Sequence, residues 1–454
     1  MNSSRTREWN ARRSAVAAGL VAILPVGLAA PAFGQARSRM VYVANNGNLE
    51  GSVTSMRVMG DCTLAFVSRV ITGSRAALAD PCPGCNPNDI SLSPNGRYLV
   101  TCHPAGSIDG LSVFEVAADG TLALRAQRSL GAVEGGNLDV VWLDNDYFAM
   151  TNSDTTPDSI RTYQFVPAGP TIVPLNTYAA GSSTAYLARH ATLPILYAND
   201  SGAAHLVYIY QIGAGGTLSF IRTEPNGAPF PLELAVSPNG AWVYSAGGIS
   251  DSGNKVTGFT VNGDGTVTVM AGSPFVSPGA SPSNVCVSPD NAVLVAGHGT
   301  DATVRTFTLD AAGVPTATGF SFDVGLQGTL GDVQAAGGLL FVTDNSTSID
   351  GITGIYSFTL GSNGSLTQNG PIYSTQGSAP RSVATWIPTN PLLGDMNCDG
   401  TVSVADVPLM ILALVNPAGY PAAVPCCAIT NGDMDGSTTV DGADVEGFVD
   451  ALIP

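Results

Sequence analysis

Short apolar segments separated by turn residues recur along most of the chain. Ser-Pro-Asn-Gly begins at Ser93 and again at Ser237, and Ser-Pro-Asp-Asn begins at Ser288, so the starts lie 144 and 51 residues apart. In this register each unit of about 50 residues holds four apolar or alternating segments bounded by Gly, Asn, Asp and Pro. Four short strands in a unit of that length predict one blade of a β-propeller.

The number of units and the chain ends predict how the ring closes. Seven second strands fit the register, from MVYVANN at Met40 to LLFVTDN at Leu339. The first of them has no first strand before it, whereas an unmatched first strand, SVATWIPT, begins at Ser382. A pair of β-sandwiches or a β-helix would not explain this leftover strand. We therefore predict an all-β, seven-bladed propeller over residues 40–389, closed by pairing the last strand with the first.

The repeats resemble a known family. VYVANNGN, SPNGRYL and FTVNGDGTV are similar to segments of YVTN-repeat and 6-phosphogluconolactonase-like propellers. The resemblance implies that lactone hydrolysis is possible, which requires an activated water and an electrophile such as Arg. Members of this family often carry Pro-Arg-His before a first strand, but here the nearest match, Pro380-Arg381-Ser382, lacks the histidine.

Candidate catalytic side chains are few. No Ser-His-Asp order, zinc motif or phosphate loop stands out, so the sequence identifies no catalytic residue. His103 and His298 both follow second strands and are expected on one face. Each of the four histidines is interpreted as a solvated loop residue: His103, His190, His205 and His298.

The C-terminal segment contains two calcium-loop patterns 38 residues apart, DMNCDGTVSVAD and DMDGSTTVDGAD. Such loops place oxygen ligands at positions 1, 3, 5, 7, 9 and 12, with Gly at position 6. Gly400 occupies position 6 of loop 1, whereas Thr438 occupies it in loop 2. The predicted Ca²⁺ ligands are Asp395, Asn397, Asp399, Thr401, Ser403 and Asp406 in loop 1, and Asp433, Asp435, Ser437, Thr439, Asp441 and Asp444 in loop 2.

Each loop precedes an apolar helix pattern, and Asp stands at position 12 in place of Glu. Residues 390–454 therefore resemble a type I dockerin, a small α-helical module with paired EF-hand-type loops. The resemblance implies a protein partner. Cellulosomal dockerins use Ser or Thr at positions 10 and 11 to bind cohesins, but this chain has Val404-Ala405 and Gly442-Ala443. We expect an unspecified surface protein as the partner, with a cohesin as the alternative.

The N-terminus predicts export. Arg5, Arg7, Arg12 and Arg13 precede an apolar run from Ala15 to Ala30, and small residues follow. Residues 1–36 are therefore predicted to be a signal peptide, of Sec type or, through Arg12-Arg13, of twin-arginine type. The run is shorter than the ~20 residues that span a membrane, so no transmembrane span is expected. The mature protein should be secreted or extracytoplasmic, with attachment to a cell surface as one possibility.

Export permits disulfides among the eight cysteines, although the sequence leaves their pairing open. Cys82 and Cys85 form a C-x-x-C pair that is structural, redox-active or, least expected, zinc-binding. Cys398, at position 4 of loop 1, is expected to bridge to Cys426 or Cys427.

Composition narrows the class of partner. The formal net charge is −17, Lys255 is the only lysine, and 53 of the 454 residues are Gly. Nucleic acid is excluded as a partner because no basic stripe exists. Our leading hypothesis is a non-enzymatic exported propeller that presents a binding face to a small molecule, glycan or protein, as in polysaccharide-associated assemblies. The alternative is a lactonase-like hydrolase acting on a lactone or sugar derivative, tethered by the same module, and a purely structural surface protein is third.

Overall fold

A computed structural model provides the fold. It describes residues 38–47, 51–72, 87–104, 110–130, 136, 138–153, 158–248, 254–325, 330–345, 353–388 and 392–453. The predicted signal peptide and the Cys82–Cys85 pair lie outside these residues. No helix among the described residues is long and apolar enough to cross a membrane.

The described strands form seven antiparallel sheets, which confirms the predicted seven-bladed propeller. The closing blade contains β29, β1, β2 and β3, and the other six blades follow in chain order. The strands are β1 Met40–Asn45, β2 Ser52–Val58, β3 Leu64–Ile71, β4 Asp89–Leu92, β5 Tyr98–His103, β6 Gly110–Val116, β7 Leu122–Ser129, β8 Val140–Trp142, β9 Tyr147–Asn152, β10 Ser159–Val166, β11 Thr171–Ala179, β12 Thr184–Arg189, β13 Ile195–Asp200, β14 Leu206–Ile212, β15 Leu218–Pro225, β16 Pro231–Val236, β17 Trp242–Gly247, β18 Lys255–Val261, β19 Val267–Val269, β20 Phe275–Val276, β21 Pro282–Val287, β22 Val293–His298, β23 Thr303–Leu309, β24 Pro315–Asp323, β25 Leu330–Ala336, β26 Leu339–Asp344, β27 Gly354–Leu360, β28 Leu366–Gln368 and β29 Pro380–Trp386.

Ring closure follows the predicted strand exchange. β29 pairs antiparallel with β1, with Met40 opposite Trp386 and Ala44 opposite Ser382. The first strand of every blade also contacts the first strands of its two neighbours, so these seven inner strands surround the axis. The C-terminal strand thereby supplies the inner wall of the blade that the N-terminal strand begins.

Apolar side chains fill the spaces between adjacent blades. One cluster joins β5 to β7 with the blade of β8 to β11: Tyr98 and Trp142 stack with ring centroids 6.5 Å apart, and Phe148 stacks on Tyr163 at 5.4 Å. Second strands have apolar side chains on both faces because each face packs against a neighbouring blade. This explains their nearly continuous apolar sequence.

The Ser-Pro-Asn turns have a local reason. Ser93 Oγ accepts the Tyr98 N–H at 2.9 Å and donates to Asn95 Oδ1 at 2.8 Å, and the same pair of bonds recurs at Ser237 and Ser288. Gly96 has a φ of +67°, which glycine adopts without strain. The turn motif therefore ends a first strand and starts a second one.

Short helices follow the last strand, as the sequence predicts. They are α1 Val407–Val415, α2 Tyr420–Ala423 and α3 Asp444–Leu452. Their core contains Met396, Met410, Tyr420 and Phe448, all buried. We call residues 392–453 the C-terminal module.

The C-terminal module is bonded to the outer part of the closing blade. A disulfide joins Cys62, in the β2–β3 turn, to Cys426, and a second joins Cys398 to Cys427. Gly60 donates its N–H to Asn397 O at 3.1 Å and accepts the Cys426 N–H at 2.8 Å. Of the two expected partners of Cys398, Cys427 is therefore the one used, while Cys426 reaches across to the propeller.

We predict that the Cys62–Cys426 disulfide stabilises ring closure. It ties the chain that follows β29 to the blade that β29 completes, across 364 residues. Replacing both cysteines by Ser should lower the free energy of unfolding by about 2–4 kcal/mol, since the unfolded chain regains conformational freedom. Denaturant titration followed by tryptophan fluorescence measures this loss.

The matched control replaces Cys398 and Cys427, whose separation is only 29 residues and whose bond stays inside the module. This pair should affect the propeller transition less. A propeller that unfolds at the same denaturant concentration in all three proteins would contradict the closure role.

Candidate active site

A polar or titratable side chain occupies the same register position on each of the seven inner strands. The position faces the propeller axis three to five residues before the turn into the second strand. All seven of its occupants line one cavity of about 80 Å³. This volume accommodates several water molecules. The seven residues, here called the channel ring, are Asp89, Asp139, Tyr186, Glu233, Asn284, Asp332 and Ser382.

The carboxylates of the channel ring bond from one blade to the next. Asp89 Oδ2 accepts the Val140 N–H at 3.1 Å. Asp332 Oδ2 accepts the Val383 N–H at 2.8 Å, and Glu233 and Asp139 accept from their next blades in the same way. Each acid thus satisfies a backbone donor on the neighbouring inner strand, which holds both its position and that strand.

The closing strand brings a cation to the cavity. Arg381 and Ser382, adjacent on β29, both line the cavity. Ser382 Oγ donates to Asp89 Oδ1 at 2.6 Å, which links the closing blade to the blade of β4. Among the described lining residues, Arg381 is the only basic one.

Burial controls the protonation of these acids. Desolvation, strengthened by the Asp89 charge, raises the pKa of Asp139 well above its usual range. Desolvation together with the Asp332 charge does the same for the pKa of Glu233, although part of this side chain borders the cavity. Burial raises the pKa of Asp332 to about 7, where the Val383 N–H and Arg381 oppose a larger shift. The site therefore combines neutral carboxylic acids with a carboxylate that ionises near neutral pH.

This arrangement can perform general acid–base chemistry. An ionised Asp332 can accept a proton, a protonated Asp139 can donate one, and the Arg381 guanidinium can stabilise developing negative charge. Sequence reasoning singled out Arg381 but missed the acids. Aligning the seven first strands by their turns would have revealed them, because the same position is polar in all seven strands of this chain.

The expectation that all four histidines are solvated is wrong for three of them. His103, His190 and His298 are buried, and only His205 is partly exposed. His190 Nδ1 accepts the Thr192 and Leu193 N–H groups, so this imidazole takes the place of the turn-forming serine. A strand end packed between blades is buried even where its sequence resembles a loop.

His298 has a similar structural environment. Its Nε2 lies 2.7 Å from Ser277 Oγ and its Nδ1 lies 3.1 Å from Thr303 O. Burial lowers the pKa of His298, which favours the neutral ring. His103 also ends a second strand, as predicted, but neither histidine lines the cavity.

The twelve predicted calcium ligands lie in two loops with the same hydrogen-bond pattern. At position 1, Asp395 accepts the N–H groups of positions 5 and 6 at 3.1 and 2.8 Å, and Asp433 does so at 2.9 and 2.8 Å. At position 12, Asp406 and Asp444 each accept the N–H groups of positions 2, 3 and 9. Both loops are thus wound around their two terminal carboxylates.

The loops differ in strain and surroundings. Thr438 has a φ of +76°, a conformation that disfavours a β-branched residue, whereas Gly400 adopts +86° freely. In loop 2, one carboxylate oxygen each from Asp433, Asp435 and Asp444 lie within 4.8 Å of one another. In loop 1, burial raises the pKa of Asp395 to about 7.

Comparison with known proteins supports the propeller assignment. Residues 147–269 match the family model described as "Lactonase, 7-bladed beta-propeller". No curated protein sequence matches the chain. The described fold is a lactonase-like seven-bladed propeller followed by short helices.

Solved structures share this fold at low sequence identity. The Pseudomonas aeruginosa periplasmic gluconolactonase is 17% identical, with a TM-score of 0.59 over 77% of this chain and 99% of its own. A candidate 6-phosphogluconolactonase from Bacteroides fragilis is 16% identical, with a TM-score of 0.60 over 77% and 98%. A functionally unknown protein from Desulfotomaculum acetoxidans is 16% identical, with a TM-score of 0.57 over 77% and 100%.

We predict that Asp332 makes stability depend on pH. Its pKa is about 7 in the folded protein against 3.8 in an ordinary aspartate, so its contribution is fully present below about pH 4 and is lost as pH rises through 7. The side chain introduced by Asp332→Asn cannot ionise. Between pH 4 and pH 8 the free energy of unfolding of this variant should therefore fall by up to about 4 kcal/mol less than that of the unmodified protein. Melting curves across this range measure the difference.

Asp146→Asn serves as the control because Asp146 is solvent-exposed on a turn. Its melting temperature should follow that of the unmodified protein at every pH. Parallel curves for Asp332→Asn and the unmodified protein would show that Asp332 ionises normally.

Proposed function

We propose that this protein is an exported hydrolase of a lactone or sugar derivative and that the channel ring is its active site. The proposal rests on one observation: Arg381 lines the cavity together with buried acids that differ in protonation. Burial keeps Asp139 protonated, because its pKa is raised well above the usual range, whereas Asp332 has a pKa of about 7. The lactonase family match over residues 147–269 supports the same reaction class. A purely binding propeller would not require an acid poised near pH 7 beside a cation.

The proposed roles follow from the charges. Asp332 takes a proton from a water molecule while the water oxygen bonds to the lactone carbonyl carbon. Arg381 stabilises the oxyanion that forms. When the ring C–O bond breaks, Asp139 gives its proton to the leaving oxygen, and the proton held by Asp332 later restores Asp139 through solvent. The net reaction consumes one water and yields one hydroxy acid.

We further propose that the C-terminal module binds Ca²⁺. Hard oxygen ligands suit this ion, and Asp395 and Asp406 are only 2% and 0% exposed. Among the described residues neither acid forms an ion pair, and buried charges are otherwise paired or hold a metal. The ligands would be the twelve residues of the two loops. Bound calcium would supply positive charge that holds each loop's two ends together.

The module is proposed to attach the hydrolase to a protein partner outside the cytoplasm. An export signal in the sequence and two disulfides support this location. Apolar side chains remain exposed on α1 and α3, namely Ile411 at 52%, Val415 at 75% and Val449 at 43%. Such exposure on a small module is typical of a surface that binds protein.

Arg381→Gln should lower kcat for lactone hydrolysis by about 10²–10³-fold, because the oxyanion loses its cation. The measurement is proton release at constant pH from a simple lactone, with the uncatalysed rate subtracted. The wild-type rate should rise as pH increases through about 7, since Asp332 must be ionised to act as a base.

Arg222→Gln provides the matched control, because Arg222 lies on the outer strand β15. Its rate should equal that of the unmodified protein. Equal rates for both variants would place the reaction elsewhere, and hydrolysis by neither the variants nor the parent protein would favour the binding-only hypothesis.

Calcium titration of the full chain should reveal two sites by calorimetry. Asp395→Ala and Asp433→Ala should each remove one site, because each deletes a position-1 carboxylate. At a thousandfold excess over Kd, calcium should stabilise the module by about 4 kcal/mol.

Asp450→Ala removes an exposed carboxylate on α3 outside both loops and should retain both sites. Absence of binding heat together with an unchanged melting curve would refute the calcium proposal.

A further inference from the structure

We infer that the substrate of the channel ring is an uncharged lactone and that lactones bearing a phosphate group are excluded. This inference rests on the proposed function and specifies its substrate class. It is carried by the balance of charge around the cavity and by the use of the backbone donors that line it.

The described lining of the cavity has no surplus positive charge for a phosphate dianion. Arg381 is the only basic residue among its described lining residues, against four acids. These acids already repel one another, because the charge of Asp89 raises the pKa of Asp139, Glu233 and Asp332. Two further negative charges would add to this repulsion.

Four backbone donors on the inner strands are already used by the channel ring. Proteins commonly bind phosphate with free N–H groups at a helix N-terminus or with clustered Arg and Lys. The N–H group of Leu187, which lines the cavity, donates to Asp139, and the N–H groups of Val140, Val285 and Val383 on the same inner strands donate to the other three carboxylates of the ring. The described part of the propeller has no α-helix, so no helix N-terminus is available there.

A phosphate would also disable the proposed chemistry. Negative charge beside Asp332 disfavours its ionised form, and a protonated Asp332 cannot accept a proton from water. The phosphate would compete as well for Arg381, which is needed at the carbonyl oxygen. A phosphorylated lactone is therefore expected to have a lower kcat as well as a higher KM than the uncharged lactone.

An uncharged polyhydroxy lactone fits the same groups. The ring offers carboxylate oxygens that accept from hydroxyl groups, protonated acids that donate, the Asn284 amide and the Tyr186 hydroxyl. Such mixed donors and acceptors suit sugar hydroxyls, which both donate and accept.

The test compares D-glucono-1,5-lactone with its 6-phosphate on the full-length protein, by proton release at constant pH, with Arg381→Gln as the background. We expect kcat/KM to be at least about 100-fold higher for the uncharged lactone, which corresponds to about 2.7 kcal/mol. The residual rate on the phosphate ester should rise with salt, because salt screens the repulsion, while the rate on the uncharged lactone should not.

The outcomes separate the two claims. Equal or faster turnover of the phosphate ester would overturn this inference and leave the hydrolase proposal standing. Turnover of neither compound above the Arg381→Gln background would overturn the hydrolase proposal and this inference with it. A preference for the uncharged lactone that disappears at high salt would still support exclusion by charge.

Discussion

The pairing of β29 with β1 is the interaction on which the rest of the structure depends. It joins the two ends of the propeller, with Ala44 opposite Ser382, and covers the inner edge of β1, which would otherwise lack a partner strand. The same strand carries Arg381 into the cavity and completes the channel ring through the Ser382–Asp89 bond. Closure and the assembly of the candidate site are therefore one event.

The chain that leaves β29 extends this dependence to the C-terminal module. Cys426 bonds to Cys62 on an outer turn of the closing blade, and Arg39 donates to the Cys426 carbonyl oxygen. The module is thereby fixed at the end of the closing blade that carries the β2–β3 turn. The cavity instead lies near the beginnings of the inner strands. Attachment through the module would leave the proposed active site accessible, because the two features occupy different ends of the blades.

The channel ring shows a compromise between stability and function. Its carboxylates satisfy backbone donors on neighbouring blades, but a neutral amide such as that of Asn284 would link blades without a charge to bury. Retaining several buried acids beside Arg381, the only basic residue in the described lining, is destabilising at neutral pH. Positions where a protein retains residues that lower its stability, such as these buried acids, are where a functional site is expected.

Sequence reasoning predicted the blades and their closure because both depend on local patterns, namely the turns after Ser93, Ser237 and Ser288 and the unmatched strand at Ser382. It did not predict the Cys62–Cys426 bond, since 364 residues separate the two cysteines and only the folded ring brings them together. Asp89 and Asp332 each read as an ordinary polar residue at the start of a strand. Asp89 and Asp332 can be recognised as parts of one site only when the seven inner strands are known to share an axis. The burial of His298 likewise depends on the packing of adjacent blades.

The central claim is that ring closure creates a site for the reaction at the propeller axis. A crystal structure of the full chain soaked with gluconate, the hydroxy acid that hydrolysis of the uncharged lactone would yield, tests it most directly. The account predicts density for the product in the cavity, with its carboxylate on the Arg381 guanidinium and its hydroxyls on channel-ring oxygens. Density at another surface of the propeller, with Arg381 contacting only protein, would contradict it.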